Sequence, residues 1–263
     1  MIELKHISKT FHRNTANPIH ALRDVSLVIE NGSFVVVVGS NGSGKSTLLN
    51  VLAGTVRVDE GQVLINRQDI TRLNDYHRSK WMARIFQDPV TGTSPELTIL
   101  ENFRLAYLRT EPKKFKTGTG EKFRQSVREK IHMLELGLEN KLDQPMGTLS
   151  GGQRQALTLL MAIMPSHSHS SGYSFTGDEE TKILLMDEPT AALDPKTSKL
   201  ILGLANRLIR EYGLTVIFVT HQLRDALHYG NRIIRMDGGK IVQDLENESK
   251  ARLTLSEVVE WYE

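Results

Sequence analysis

Eight consecutive residues offer the first recognisable chemistry: Gly39-Ser40-Asn41-Gly42-Ser43-Gly44-Lys45-Ser46. They fit the pattern G-x-x-x-x-G-K-[ST], in which glycines let backbone N–H groups turn inward around phosphate oxygens without a Cβ in the way. A helix starting at the end of the loop adds partial positive charge at the same point. Lys45 is then placed to reach β- and γ-phosphates, and Ser46 to ligate Mg²⁺. The bland alternative is a glycine-rich strand-to-helix turn. Strand, loop, Lys-Ser pair and helix occurring together argue against it.

A second group of residues suits the same chemistry. Ile183-Leu184-Leu185-Met186 is an apolar run ending in Asp187-Glu188. An aspartate at a strand tip can hold the shell of Mg²⁺, and the next glutamate can polarise, or take a proton from, an attacking water. Acids also flank strands simply as solubilising residues; the phosphate loop is what gives this pair its meaning. A third group is Leu149-Ser150-Gly151-Gly152-Gln153. Read plainly, Ser150 caps a helix running from Gln153 to Met164. Two consecutive glycines also expose N–H groups at that helix start, which makes a second anion site.

The elements that must hold these groups follow from apolar spacing. Ile2 to Ser8 and Ala21 to Ile29 alternate apolar and polar residues as half-buried strands do, and Gln62 to Ile65 reads as another short strand. Phe34 to Val38 is an unbroken apolar run that suits a strand buried on both faces of a parallel sheet. A helix pattern begins near Gly44, with Leu48, Leu49 and Leu52 on one side. From Leu97 to Met164 the spacing is mainly helical, clearest at Val127, Ile131, Leu134 and Leu138. Strands return at Ile183–Met186, Val216–Val219 and Arg232–Met236, separated by a helix from Pro195 to Tyr212. Proline suits a first helical turn. The reading is an α/β nucleotide-binding core interrupted by a helical insert.

Bulk properties bound the partners. A chain of 263 residues with 39% hydrophobic content supports one large domain with a real core. The net charge of +2 gives no electrostatic case for nucleic acid. With no cysteine there are no disulfides and no thiolate metal sites. No apolar run reaches the roughly 20 residues needed to cross a bilayer, and the opening residues lack a signal-peptide pattern. Any membrane work needs another subunit to hold the chain there.

With these motifs in this order, the chain resembles the ATP-binding cassette (ABC) family over nearly its whole length. The resemblance implies a P-loop NTPase (RecA-like) core with an antiparallel β subdomain and a helical insert specific to the family. It divides the chain into a core at 1–88 and 165–245, a helical subdomain at 89–164 and a short tail at 246–263. It also implies that Ser150, Gly151 and Gly152, with Gln153, meet the γ-phosphate of ATP bound by a second copy, so that two ATPs lie in a head-to-tail homodimer. Gln87 matches the glutamine that senses Mg²⁺ and water and links core to insert, and His221 matches the histidine that contacts the γ-phosphate. Ala191-Ala192-Leu193-Asp194 matches the loop that crosses the dimer interface. Phe11 stands where the family has an aromatic on the adenine, or is a core residue at a strand end.

The implied nucleotide set is therefore Phe11, Gly39, Ser40, Asn41, Gly42, Ser43, Gly44, Lys45, Ser46, Thr47, Ser150, Gly151, Gly152, Gln153 and Asp194. The implied Mg²⁺ set is Ser46, Gln87 and Asp187, and the implied catalytic set is Glu188, His221 and Gln87. The expected ligands are ATP and Mg²⁺. The expected partners are a second ATPase subunit, transmembrane permease subunits and a solute-binding protein, at the cytoplasmic face of the cell membrane, with no nucleic acid.

Residues around Gln87-Asp88-Pro89, Leu97-Thr98-Ile99, Glu101-Asn102 and Leu138 to Leu142 look like those of bacterial importers associated with tryptophan and tyrosine. Exporters and lipoprotein-releasing ATPases share the main motifs, and soluble ABC ATPases that act on nucleic acid usually carry two cassettes or a coiled-coil insertion. Pro165 to Gly177 is longer than the family pattern and holds His167 and His169, whose spacing suits one strand face or a solvated loop. Lys113 to Lys122 is basic, reading as a solvated loop or as a contact for anionic lipid headgroups.

Overall fold

The computed structural model describes residues 1–108, 119–163 and 183–262. The His167 and His169 stretch and residues 113–118 of the basic segment lie outside the described residues. In chain order the elements begin with strands β1 (Ile2–Phe11), β2 (Ile19–Ile29) and β3 (Phe34–Val38), then helix α1 (Lys45–Ala53). Strands β4 (Glu60–Ile65) and β5 (Gln68–Asp69), helix α2 (Asp75–Arg78) and strand β6 (Met82–Ile85) follow. Helices α3 (Ile99–Tyr107), α4 (Glu121–His132) and α5 (Gly151–Ile163) come next. The chain then runs through β7 (Ile183–Asp187), α6 (Pro195–Tyr212), β8 (Thr215–Val219), α7 (Leu223–His228), β9 (Arg232–Asp237) and β10 (Lys240–Glu246). Helices α8 (Asn247–Ala251) and α9 (Leu255–Val259) lead into a 3₁₀ turn at Glu260–Tyr262.

These elements form two compact units, one of residues 1–82, 183–188 and 212–262, the other of 83–108, 119–163 and 189–211. In the first unit, β2, β1, β4 and β5 make an antiparallel sheet. Five further strands lie in the order β10-β9-β3-β8-β7. β3 pairs in parallel with both β8 and β9, β7 pairs in parallel with β8, and β10 is an antiparallel edge. All five residues of β3 are buried, which is why that strand reads as an unbroken apolar run rather than an alternating one. One core of residues such as Val35, Val37, Leu48, Leu52, Ile65, Leu185, Val219 and Ile234 joins both sheets to α1. The parallel pairing has a consequence for the site: β3, β7 and β8 end on one edge of the sheet, the edge where open α/β sheets bind ligands.

The C-terminal end of α1 is tied down by a buried cation. Arg78, 2% exposed, donates to the carbonyls of Val51 at 2.6 Å and Leu52 at 2.8 Å, and also to those of Ile70, Thr71 and Leu73. A positive charge at a helix C-terminus suits both its dipole and its unpaired carbonyls. Burial pulls this guanidinium down to about 10.

In the second unit, α3 starts with a reciprocal Thr98–Glu101 capping box. Asn102 is buried with its amide fully used: Oδ1 accepts from the Ser94 N–H at 2.8 Å, and Nδ2 donates to the carbonyls of Ser94, Leu97 and Thr98. α6 belongs to this unit, whereas strand–helix alternation assigns it to the core. Its contacts explain the grouping, because Thr197 of α6 lies against Gly152 of α5 and Arg207 donates to the Met133 carbonyl after α4.

Candidate functional site

β3 delivers the chain into the phosphate loop, and two glycines there are required by space as well as by conformation. Gly39 has φ +149°, and a Cβ on it would stand 2.2 Å from the Met236 carbonyl oxygen. Gly44 has φ +104°, and a Cβ would stand 2.4 Å from the Ala21 carbonyl oxygen. Gly44 is also the N-cap of α1, with no side-chain cap and no acid in the first turn. The first N–H groups of α1 are therefore not engaged by a capping side chain, the condition under which a helix start holds an anion. Lys45 folds back on the loop and donates to the carbonyls of Gly39 at 2.7 Å and Ser40 at 2.9 Å. Burial lowers the affinity of this ammonium for its proton, and the charges of Glu188 and Asp187 work against that shift. The buried Ser43 Oγ has no hydrogen-bond partner among the described residues.

The other strand tips bring their acids and histidine to the same edge. β7 ends at Asp187, whose Oδ1 lies 3.5 Å from Ser46 Oγ, at the start of α1. Glu188 follows with φ +46°, a left-handed conformation unusual for a residue with a side chain. Its N–H donates to the Val219 carbonyl at 3.0 Å, so the bend is held by the tip of β8. Its Oε2 lies 2.8 Å from Nδ1 of His221, which stands just past β8. A strained, externally held backbone that aims a carboxylate is a feature of functional sites. Phe11, at the end of β1, is half-buried and carries the Lys9 ammonium 5.5 Å from its ring centre.

Ser46 and Asp187 give two hard oxygen donors, and no cluster of three or more His, Cys, Asp or Glu that could hold a metal occurs among the described residues. That donor set fits Mg²⁺, which takes one or two protein oxygens and completes its shell with phosphate and water.

The remaining candidates belong to the second unit. Gln87 is exposed just beyond β6. Ser150 and Gln153 close the start of α5 on themselves: Ser150 Oγ accepts the Gln153 N–H at 3.3 Å, and Gln153 Oε1 accepts the Ser150 N–H at 3.2 Å. A Cβ on Gly152 would stand 2.2 Å from Thr197 Cγ2, whereas one on Gly151 would meet only Leu193 at 3.5 Å. Gly152 thus has a packing reason that the sequence pattern does not show. Asp194 caps α6, its Oδ1 accepting N–H groups of Lys196 and Thr197 at 3.1 Å.

Two further residues carry no motif. Gln155, fully buried on α5, donates from Nε2 to the carbonyls of Phe86 at 3.2 Å and Pro189 at 2.8 Å, the residues that adjoin Gln87 and Glu188 in the chain. Tyr262 places its hydroxyl 2.9 Å from the Gly39 N–H. The Trp-Tyr pair near the end of the tail is the sequence signal that points to the second.

The family model described as ABC transporter matches residues 22–168. The chain is similar to a tyrosine transport ATP-binding protein of Clostridioides difficile, 38% identical over 266 residues that cover 100% of this chain and 99% of the relative. A methionine import ATP-binding protein of Enterococcus faecalis is 35% identical over 92% of this chain and 62% of its own length. Among solved structures, a dimeric ATP-binding cassette in a post-hydrolysis state bound to ADP and Pi is 32% identical, with a TM-score of 0.74 over 94% of this chain and 98% of that one. Motif order, strand-tip geometry and these likenesses converge: the chain belongs to the ABC transporter family and is an ATP-binding, ATP-hydrolysing cassette with a P-loop NTPase fold.

Proposed function

We propose that this cassette powers an importer for an aromatic amino acid, working as a homodimer on separate transmembrane subunits at the cytoplasmic face of the cell membrane. The observation that carries the reading is the full-length likeness to a tyrosine transport ATP-binding protein, joined to a phosphate loop and a Glu188–His221 pair at one sheet edge. No helix among the described residues is long and apolar enough to cross a membrane, which agrees with a division of labour between subunits. A solute-binding protein is the expected further partner.

The chemistry follows from this chain's own side chains. Lys45 exchanges the Gly39 and Ser40 carbonyls for phosphate oxygens, replacing neutral acceptors by charged ones. Glu188, held by the left-handed bend and by His221, orients and deprotonates the attacking water, and His221 fixes the carboxylate's direction. Ser46 and Asp187 would hold Mg²⁺, which supplies neutralisation of phosphate charge. The roles proposed for Phe11, Gln87, Ser150 to Gln153 and Asp194 rest on the family resemblance. A cleft of about 310 Å³ in the second unit, lined by Thr91, Gly92, Ser94, Asn102, Leu105 and Thr158 among others, supports docking of a permease segment beside the Gln87 loop.

The test is reconstitution in vesicles with the membrane subunits that co-purify with the chain. Wild-type protein is expected to drive ATP-dependent uptake of tyrosine or tryptophan, while Glu188→Gln stops uptake and accumulates as an ATP-bound dimer on gel filtration. Uptake of neither amino acid would remove the substrate class, efflux in place of uptake would remove the importer, and undiminished hydrolysis in Glu188→Gln would remove Glu188 from its role.

A further inference from the structure

The stretch after β10 bears no nucleotide motif, yet it is fastened to the first unit at several separate points. Lys250 of α8, 5% exposed, extends its ammonium among the carbonyls of Leu227, Tyr229 and Gly230 where α7 ends, 2.8 Å from that of Gly230. Val258 of α9 is fully buried, behind a Thr254–Glu257 capping box that fixes where the helix starts. Arg235 of β9 donates to the Trp261 carbonyl at 2.8 Å and holds its guanidinium 5.7 Å from the indole centre. The last contact is the Tyr262 hydroxyl on the Gly39 N–H.

The end points of this segment give it a reach into the nucleotide site. α7, which Lys250 holds, begins two residues after His221. Gly39, which Tyr262 holds, is the point where β3 turns into the phosphate loop. Gly39 has no side chain with which to fix its own backbone, and its conformation is one that a Cβ could not share with Met236. Its N–H is held from outside the loop by a half-buried phenol, a group that both accepts and donates. Burial pushes the Tyr262 phenol above its ordinary value, so it stays a neutral hydroxyl at physiological pH.

We propose that Tyr262 is a positioning residue of the nucleotide site: by anchoring Gly39 it fixes the entrance of the phosphate loop, and the 247–262 segment thereby sets the affinity for ATP. The inference rests on Gly39 to Thr47 being the loop that holds the phosphates. A segment that merely covered apolar surface would keep its effect when the hydroxyl alone is removed and the ring is left in place. A segment that positions the loop would not.

The experiment uses the full chain with Trp81→Phe, which leaves Trp261 as the one tryptophan of the two in the sequence. Tyr262→Phe is compared with its parent for the KM and kcat of ATP hydrolysis, the Kd for ADP by calorimetry, and thermal stability. Loss of one hydrogen bond to the loop is expected to raise both KM and Kd about three- to tenfold, with kcat within about twofold and Tm lowered by no more than a few degrees. Nucleotide is also expected to shift the Trp261 emission of the parent protein, because loop and segment move as one piece. Unchanged KM and Kd, a fall in kcat alone, tighter nucleotide binding in Tyr262→Phe, or a Trp261 emission indifferent to nucleotide would each overturn the proposal. A parent protein that binds no ATP would sink the phosphate-loop reading itself, which separates the two failures.

Discussion

Helices α1 and α5 both start within glycine-rich motifs, and they start in different ways. α1 begins open: Gly44 stands at its N-cap in the left-handed region, and no side chain caps the turn. α5 begins closed, with Ser150 and Gln153 bonded to each other's backbone. The glycines differ in the same sense. Gly44 is glycine because of its own φ and the carbonyl of Ala21, both parts of the loop's immediate frame. Gly152 is glycine because Thr197 of a neighbouring helix occupies the space a Cβ would need. An open start leaves its N–H donors to a ligand, whereas a closed one must give up its own cap before its side chains can serve a phosphate. A glycine-rich helix start is thus not one signal. The first is built to receive an anion, and the second closes on its own cap with Gly152 set against Thr197.

Gly44→Ala should break the open start most severely. The methyl pays the left-handed penalty of about 1–2 kcal/mol. It also meets a backbone oxygen that has nowhere to go, at roughly 1–3 kcal/mol for overpacking. The loop must shift to relieve both, so the KM for ATP is expected to rise by at least about tenfold while the core sheet stays folded. Measured by calorimetry with ADP, a variant that binds as tightly as wild type would show that the Gly44 conformation is not what shapes the cradle.

Gly152→Ala should act through packing instead. Its methyl gains helix propensity of about 1 kcal/mol. It loses roughly 1–3 kcal/mol against Thr197, whose β-branched side chain is slow to give way. The expected net effect is a loss of about 1 kcal/mol in stability, recovered when Thr197→Ser removes the obstructing methyl. The double variant then separates two roles. Restored stability with restored ATPase activity makes Gly152 a packing residue; restored stability with hydrolysis still lost leaves it a direct contact to phosphate.

What could be read in advance follows the range of the interactions. His221, a lone histidine past a strand, was singled out through the family resemblance alone. The phosphate loop and Asp187-Glu188 were legible because each is a short run at a strand tip, where local spacing fixes both the strand and the residue it presents. The parallel run of β3 was legible for the same reason. The left-handed bend at Glu188 was not, since a carbonyl of β8 holds it. Tyr262 reaches Gly39 across 223 positions of sequence, and Gln155 joins carbonyls 69 and 34 positions away; no local pattern encodes such pairings. Two-residue β5 and helices α7 to α9 are too short for periodicity to mark them, and β10 puts Ile241 and Val242 side by side, which breaks the alternation that would mark it. The grouping of α6 with the insert depends on Thr197 and Arg207 meeting distant partners, which alternation of strand and helix does not show.

The most discriminating test, of similar size, also concerns the closed start. Ser150→Ala removes the cap from α5, at about 1 kcal/mol of stability. Ser150→Asn restores a capping oxygen of nearly equal quality. If Ser150 serves only α5, the two variants should differ: activity falls with stability in the alanine variant and returns with it in the asparagine variant. If Ser150 also meets phosphate in a dimer, the asparagine variant regains its melting temperature yet stays slow, because its longer planar amide does not reproduce a hydroxyl donor at the same place. The second outcome is the expected one, since a helix that needed only a cap would have no use for Gly151, whose Cβ position meets nothing nearer than Leu193 at 3.5 Å. Gly151, at the first position of α5, gives the helix no propensity and no packing return. That uncompensated glycine, more than the capped serine beside it, marks the start of α5 as a place where something else must approach the backbone.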